Sequence, residues 1–414
     1  MNKRIDMSDW LIHFVHRDSL KSDFDPNNKY DVNASDIRQC PAFIDKERKP
    51  KYIEDFGLDN DYVIPQNASA YEVLKRIVHD GFIRSGWSFR SGNATIYGPY
   101  SAVCMTEMPL YALMQYAKQR KKNHVDVYGI ALNKASLFNA GARNAIYGLS
   151  TEYIEADIND SYFGYGYRTL SERCGLGLEE QFRYVTTSIG TNNKNIDWMH
   201  EREWRLPIKD NKWSVPGIPF LLERDRYQTP VDKAIIIVSN TQEREDMLAF
   251  LTNLYLAGVN DTDYSYEKDN IFNTQVIAID DVLSSSSLKN YRLDSMDSSF
   301  FHSISLIQPS ENCQKHIQQL VSTAKQMITN LKEICDFQYS FPIGHNYIIT
   351  KEYSEYTQAL IDLNYASSYA KGFYKLDSLY CHGNTIIGDE IMKDIADYLS
   401  QQTNQKFETY EIPD

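Results

Sequence analysis

The sequence predicts an α+β amino-terminal domain followed by a mainly helical carboxy-terminal one. Three observations lead there. Runs of β-formers alternate with helically spaced apolar residues up to about Val282. A serine run, Ser284 to Ser287, and polar residues to Ser299 then make a linker. Beyond it, His316 to Cys335 puts Ile317, Leu320, Val321, Ala324, Met327 and Leu331 on one helical face. The expected boundaries are 1–283 and 300–414, with 21–68 as an insertion or loop in the first domain.

The elements follow in order. Trp10 to His16 (WLIHFVH) alternates and is rich in β-formers, so it reads as a strand. The segment from Lys21 to Pro65 is polar and proline-punctuated without a clear period. Ser69 with Glu72 makes a capping box for a helix carrying Tyr71, Leu74, Ile77 and Val78, which Gly81 closes. A Gly/Ser/Arg loop, Arg84 to Tyr100, precedes the strand Ala102 to Thr106. Pro109 suits a first helical turn, and Leu110, Leu113, Met114 and Ala117 carry that helix into the basic run Lys118 to Lys122. Further strands are Val125 to Leu132, Ala234 to Val238 and Gln275 to Ile279, with a helix over Glu243 to Leu256. In the second domain, Tyr356 to Tyr374 and Asp389 to Gln402 read as helices.

Composition narrows the function. Among 414 residues, 43 Lys+Arg against 56 Asp+Glu leave a formal charge of −13, whose mean field repels phosphate. A general nucleic-acid coat is excluded; a local basic groove is not. The six cysteines lie far apart with no CxxC pair, as in a reducing compartment without a structural zinc site. The charged amino terminus lacks the apolar core of a secretory signal, and no run approaches the ~18 apolar residues that span a bilayer. A cytoplasmic protein with no membrane contact is expected. Tyrosine occurs 30 times, often beside glycine, which suits ring stacking and strand or turn packing alike.

Three places could carry chemistry. In His200-Glu201-Arg202-Glu203-Trp204-Arg205-Leu206-Pro207, an extended backbone puts Glu201, Glu203 and Arg205 on one face. Paired carboxylates can hold sugar hydroxyls and offset charge at an anomeric carbon; an edge strand with salt-bridged charges would look the same. His13, on the first strand, can hydrogen-bond a ribose hydroxyl or serve as a structural histidine. In the Arg84 to Tyr100 loop, Gly86, Gly92 and Gly98 loosen the backbone while Arg84 and Arg90 could grip a diphosphate. That loop is neither a Walker loop nor GxGxxG.

In order, these pieces resemble an ADP-ribosyltransferase fold of the DarT kind, toxins that attach ADP-ribose from NAD to nucleic-acid bases. The likeness rests on the histidine strand Leu11-Ile12-His13-Phe14-Val15-His16, the helix from Tyr71 to Gly81, the segment Val103-Cys104-Met105-Thr106-Glu107-Met108-Pro109, and the late Glu203-Trp204-Arg205-Leu206-Pro207. It covers residues 8 to 282, and the block is also similar to bacterial proteins of abortive anti-phage defence.

The resemblance implies a split β-sheet core and NAD as substrate, with no metal. His13 would hold the nicotinamide ribose, with Arg84 or Arg90 on the diphosphate. Tyr97, Tyr100 or Tyr147 would stack on nicotinamide, and Thr106 completes the cofactor-binding set. Glu203 would stabilise the oxocarbenium, with Glu201 as a second acid. The acceptor would be DNA or RNA, its backbone met by Lys118, Arg120, Lys121 and Lys122, and an antitoxin or regulatory protein would be a fitting partner. Two alternatives stay open: a non-catalytic sensor of a nucleotide or phage component, and a nuclease holding Mg²⁺ through Glu201, Glu203 and Asp197.

Overall fold

The computed structural model describes residues 6–16, 68–86, 89–90, 93–98, 100–120, 125–149, 153–155, 168–171, 174–187, 197–208, 217–223, 231–260, 264–334 and 342–413. All but the last residue of the expected 21–68 insertion lies outside them. The fold is mixed α and β, with several sheets. The chain divides into two compact units, Met1–Leu248 with Tyr264–Ser303, and Ala249–Asp263 with Ile304–Asp414.

In the first unit, β1 (Trp10–His16) leads past the insertion to α1 (Ala70–Asp80) and β2 (Phe82–Arg84). The capping box is formed: Ser69 Oγ accepts from the Glu72 N–H at 3.2 Å and Glu72 Oε2 from the Ser69 N–H at 2.7 Å. Gly81 ends α1 at φ +75° and donates to the carbonyls of Ile77 and Val78, a left-handed cap that any side chain would strain. Then come β3 (Ala102–Thr106), α2 (Leu110–Arg120), β4 (Val125–Asn133), α3 (Lys134–Ala140), β5 (Arg143–Asn144) and β6 (Ile146–Leu149). Pro109 stands just ahead of α2, its carbonyl accepting from the Ala112 and Leu113 N–H groups. After β7 (Tyr184–Thr187) follow β8 (Glu203–Pro207), β9 (Gly217–Pro219), β10 (Ala234–Val238), α4 (Thr241–Ala257), which belongs to this unit as far as Leu248, and β11 (Gln275–Ala278).

Seven strands form one sheet in the order β11-β10-β4-β1-β3-β8-β5. The apolar run Ala234–Val238 is fully buried inside it, as a strand covered on both faces must be. One face packs Ile12, Ala131, Ile235 and Ile277 against Leu110 and Leu113 of α2. The other carries Tyr128, whose ring meets Tyr71 of α1 at 6.1 Å. The sheet is uneven along its width. β1 matches β4 over seven pairs, whereas its one registered pair with β3, among the described residues, is Ile12↔Thr106.

In the second unit the expectation of a mainly helical domain is corrected. The helices α5 (Glu311–Ile334), α6 (Glu355–Asp362) and α7 (Thr385–Thr403) are present, but so is an antiparallel sheet in the order β13-β14-β12-β15, from β12 (Ile343–Thr350), β13 (Ser367–Tyr369), β14 (Phe373–Asn384) and β15 (Glu408–Pro413). The helix read over Tyr356 to Tyr374 stops at Asp362, because Asn364 takes the left-handed conformation at φ +57°. A hairpin turning at Gly372, φ +90°, follows. Ile317, Leu320, Ile348, Leu379, Cys381 and Ile395 share this unit's core. Among the described residues no helix is long and apolar enough to cross a membrane.

Candidate active site

Strand alternation decides which side chains can meet. Glu203 on β8 is paired with Thr106 on β3, and Thr106 with Ile12 on β1, so these three point to the same face, the one covered by α2. Phe14, Cys104 and Arg205 share that face. His13, one residue beyond Ile12, is turned to the α1 face. The expectation that His13 and Glu203 front one pocket is therefore corrected: β1 contributes Phe14, and His13 Nδ1–H donates to the Cys104 carbonyl at 3.0 Å. The imidazole supplies a hydrogen bond just where the β1–β3 ladder lapses.

On the α2 face two acids converge at the start of β8. Arg202, left-handed at φ +44°, turns the chain from the short 3₁₀ segment Met199–Glu201 into the strand. The Glu203 N–H donates to Tyr147 Oη at 2.9 Å. Its carboxylate is held from both sides by Arg205, Nε at 2.7 Å and Nη2 at 3.2 Å, and is 14% exposed. Arg205 also donates to the carbonyls of Phe182 at 2.7 Å and Tyr184 at 3.2 Å. Burial alone would weaken its charge, but the Glu203 carboxylate outweighs burial and keeps the guanidinium protonated.

Glu201 has different company. Tyr116 of α2 donates its hydroxyl to Glu201 Oε1 at 2.9 Å, and Thr106 Oγ1 donates to the Glu201 carbonyl at 2.5 Å while accepting from the Met108 N–H at 3.0 Å. Around this acid stand rings: Phe14 at 6.1 Å and His200 at 5.8 Å from Tyr116, with Trp198 6.4 Å beyond His200. His200 is exposed and Trp198 half-buried. Burial pushes the Tyr147 phenol up to about 12, with the charges of Glu203 and Glu201 adding to the shift. Burial, then the neighbouring Glu203 carboxylate, likewise pushes the Cys104 thiol well above its ordinary range. The site is thus electronegative, ring-lined and anchored by one buried guanidinium.

Thr106, Tyr147, Glu201 and Glu203 are brought together; the other expected residues are not. Arg84 is buried and committed to Asp80, Nη2 to Oδ2 at 2.8 Å, so it is no diphosphate grip. Arg90 lies in the two-residue strand Phe89–Arg90, its side chain outside the described residues. Tyr97 is buried edge-on against Tyr184, centroids 6.0 Å apart, in a small core with Leu170, which leaves no face for stacking. Tyr100 donates to Glu179 at 2.8 Å. Lys118 is exposed near the end of α2; the Arg120 side chain, Lys121 and Lys122 lie outside the described residues. Among the described residues no group of three or more His, Cys, Asp or Glu is gathered as metal ligands would be.

Tyr116 is the residue that sequence reading missed, and a signal existed. It falls three places after Leu113, on the same helical face as Leu110 and Leu113, with its hydroxyl marking where that face meets polar groups. Comparison of the chain with protein-family models, curated proteins and solved structures finds no match in any of the three.

Proposed function

We propose that the first unit is an NAD-dependent ADP-ribosyltransferase acting on a nucleic-acid acceptor, in the setting of a bacterial toxin or anti-phage defence effector. Glu201 takes the leading role that the resemblance implies for Glu203. What supports the reading is the convergence of Thr106, Tyr147, Glu201 and Glu203, drawn from three separate segments to one end of β8.

The chemistry suits that arrangement. Nicotinamide in NAD is a cationic ring, which aromatic faces and a carboxylate attract. As the bond from the ribose anomeric carbon to nicotinamide breaks, its electron pair leaves with nicotinamide, and positive charge on the sugar is offset by a fixed carboxylate. The acceptor's nucleophile then bonds to that carbon and gives its proton to Glu201. Glu203, neutralised by Arg205, acts as the rigid element that holds Tyr147 in place.

The test is transfer of label from NAD carrying isotope in its ADP-ribose part to single- and double-stranded DNA, RNA and protein. Wild type should label one class of nucleic acid, and Glu201→Gln should lose about a hundredfold or more. Equal labelling by both, or none by wild type, removes the reading. The clasp on Glu203 favours a second one, a sensor that binds a nucleotide without turning it over. It predicts thermal stabilisation by NAD with the NAD recovered intact.

A further inference from the structure

The second unit has a face that its own core does not use. The strands β12, β13, β14 and β15 are joined in chain order through α6 and α7 as a split β-α-β arrangement. Ile348, Leu379 and Cys381 turn to one face, where they pack with α5, α6 and α7. The register fixes what turns the other way. Tyr410, Tyr347 and Tyr380 form one lateral row across three strands, and Ile412, His345 and His382 form the next.

These are rings, not the aliphatic side chains of an ordinary buried face. His345 and His382 stack with centroids 4.0 Å apart, His345 lies 5.8 Å from Tyr347, and Tyr347 lies 5.9 Å from Tyr380. Tyr380 is 48% exposed. A cation accompanies the rings: Lys375 Nζ sits 4.3 Å from the centre of Tyr347. The acids nearby are balanced, Asp377 by Lys375 at 3.1 Å and Glu408 by Lys351 at 3.4 Å and by Lys406.

The geometry points to a platform for single-stranded nucleic acid, on which bases stack against Tyr380, Tyr347 and the paired histidines. Rings in successive rows take any base, the stacking element of sequence-tolerant single-strand binding, while Lys375, paired with Asp377 and 11% exposed, fixes the Tyr347 ring from the side. A duplex hides its base faces and is refused. This site belongs to the second unit and Glu201 to the first, and the proposal does not rest on the transferase reading.

The test uses the full chain and a fluorescein-labelled 12-nucleotide single strand, DNA and RNA, read by anisotropy against the same sequence as duplex. The single strand should bind at least tenfold more tightly than the duplex. Tyr380→Ala and Tyr347→Ala should each raise Kd about tenfold, the loss of one stacked base, and Tyr380→Phe, which keeps the ring, should bind as wild type does. Tyr380 is exposed, so its variants fold; matched circular dichroism confirms it. Wild-type binding retained by the Tyr347→Ala/Tyr380→Ala double variant, no preference over duplex, or no binding overturns the proposal. A dimer seen by light scattering that the double variant abolishes also overturns it, giving the face to a second copy.

Discussion

Arg205 grips Glu203 two residues away on the same strand, Nε to Oε1 at 2.7 Å and Nη2 to Oε2 at 3.2 Å, with both side chains largely withdrawn from water. Neither charge can be removed alone without stranding the other. Glu203→Gln should therefore cost about 3–5 kcal/mol of stability, read as a lower urea midpoint at unchanged slope. An unaltered midpoint would show that the pair is not holding this end of β8. Activity loss in that variant needs this correction before it is assigned to chemistry.

Tyr116→Phe separates the hydroxyl from the ring. It removes the 2.9 Å hydrogen bond to Glu201 but keeps the faces toward Phe14 and His200. A hydrogen bond to a carboxylate contributes about 1.5–3 kcal/mol of stability, so the unfolding midpoint should drop accordingly, and kcat/KM for NAD, measured well below that midpoint, should fall at least tenfold. An unchanged kcat/KM would remove Glu201 as the working acid.

Tyr147 titrates late, at about 12, because burial and two neighbouring carboxylates disfavour its phenolate. Its folded value lies above the unfolded one near 10. The stability it contributes is complete below pH 10 and is lost as pH rises from 10 through 12. Stability curves of wild type and Tyr147→Phe should run parallel up to pH 10 and converge above it. Parallel curves to pH 12 would contradict the placement.

Asp80 behaves in the opposite sense. Burial alone would raise its pKa, but Arg84 and Arg76 on either side hold it well below the ordinary carboxylate range. A depressed folded value means that its contribution is full above about pH 4, the unfolded value, and drains away as the solution becomes more acidic. Asp80→Asn should lose about 3–5 kcal/mol at neutral pH and show a flatter acid limb. An acid transition identical to wild type would exclude this cluster as the acid-labile element.

Local signals were the legible ones. Ser69, Glu72 and Gly81 marked α1 through caps that depend on a few neighbouring residues, and Ala234–Val238 announced a buried strand through composition alone. What stayed hidden was parity across the sheet. Whether Ile12 or His13 shares a face with Glu203 depends on the Ile12↔Thr106↔Glu203 register, which tertiary pairing fixes and one chain position reverses. The second sheet was missed because its outward rows of Tyr and His blur the alternation of apolar and polar that announces a strand, and because the helix Glu355–Asp362 ends at an asparagine, not at a glycine.

Among the described residues, the seven-stranded sheet is two panels sewn between β1 and β3 by the Ile12↔Thr106 pair and the His13–Cys104 hydrogen bond. β11, β10, β4 and β1 make one panel, and β3, β8 and β5, bearing the acids, make the other. Amide deuteration should reach the facing edges of β1 and β3 well before the interior of β4 and β10, as cloth frays first along its seam.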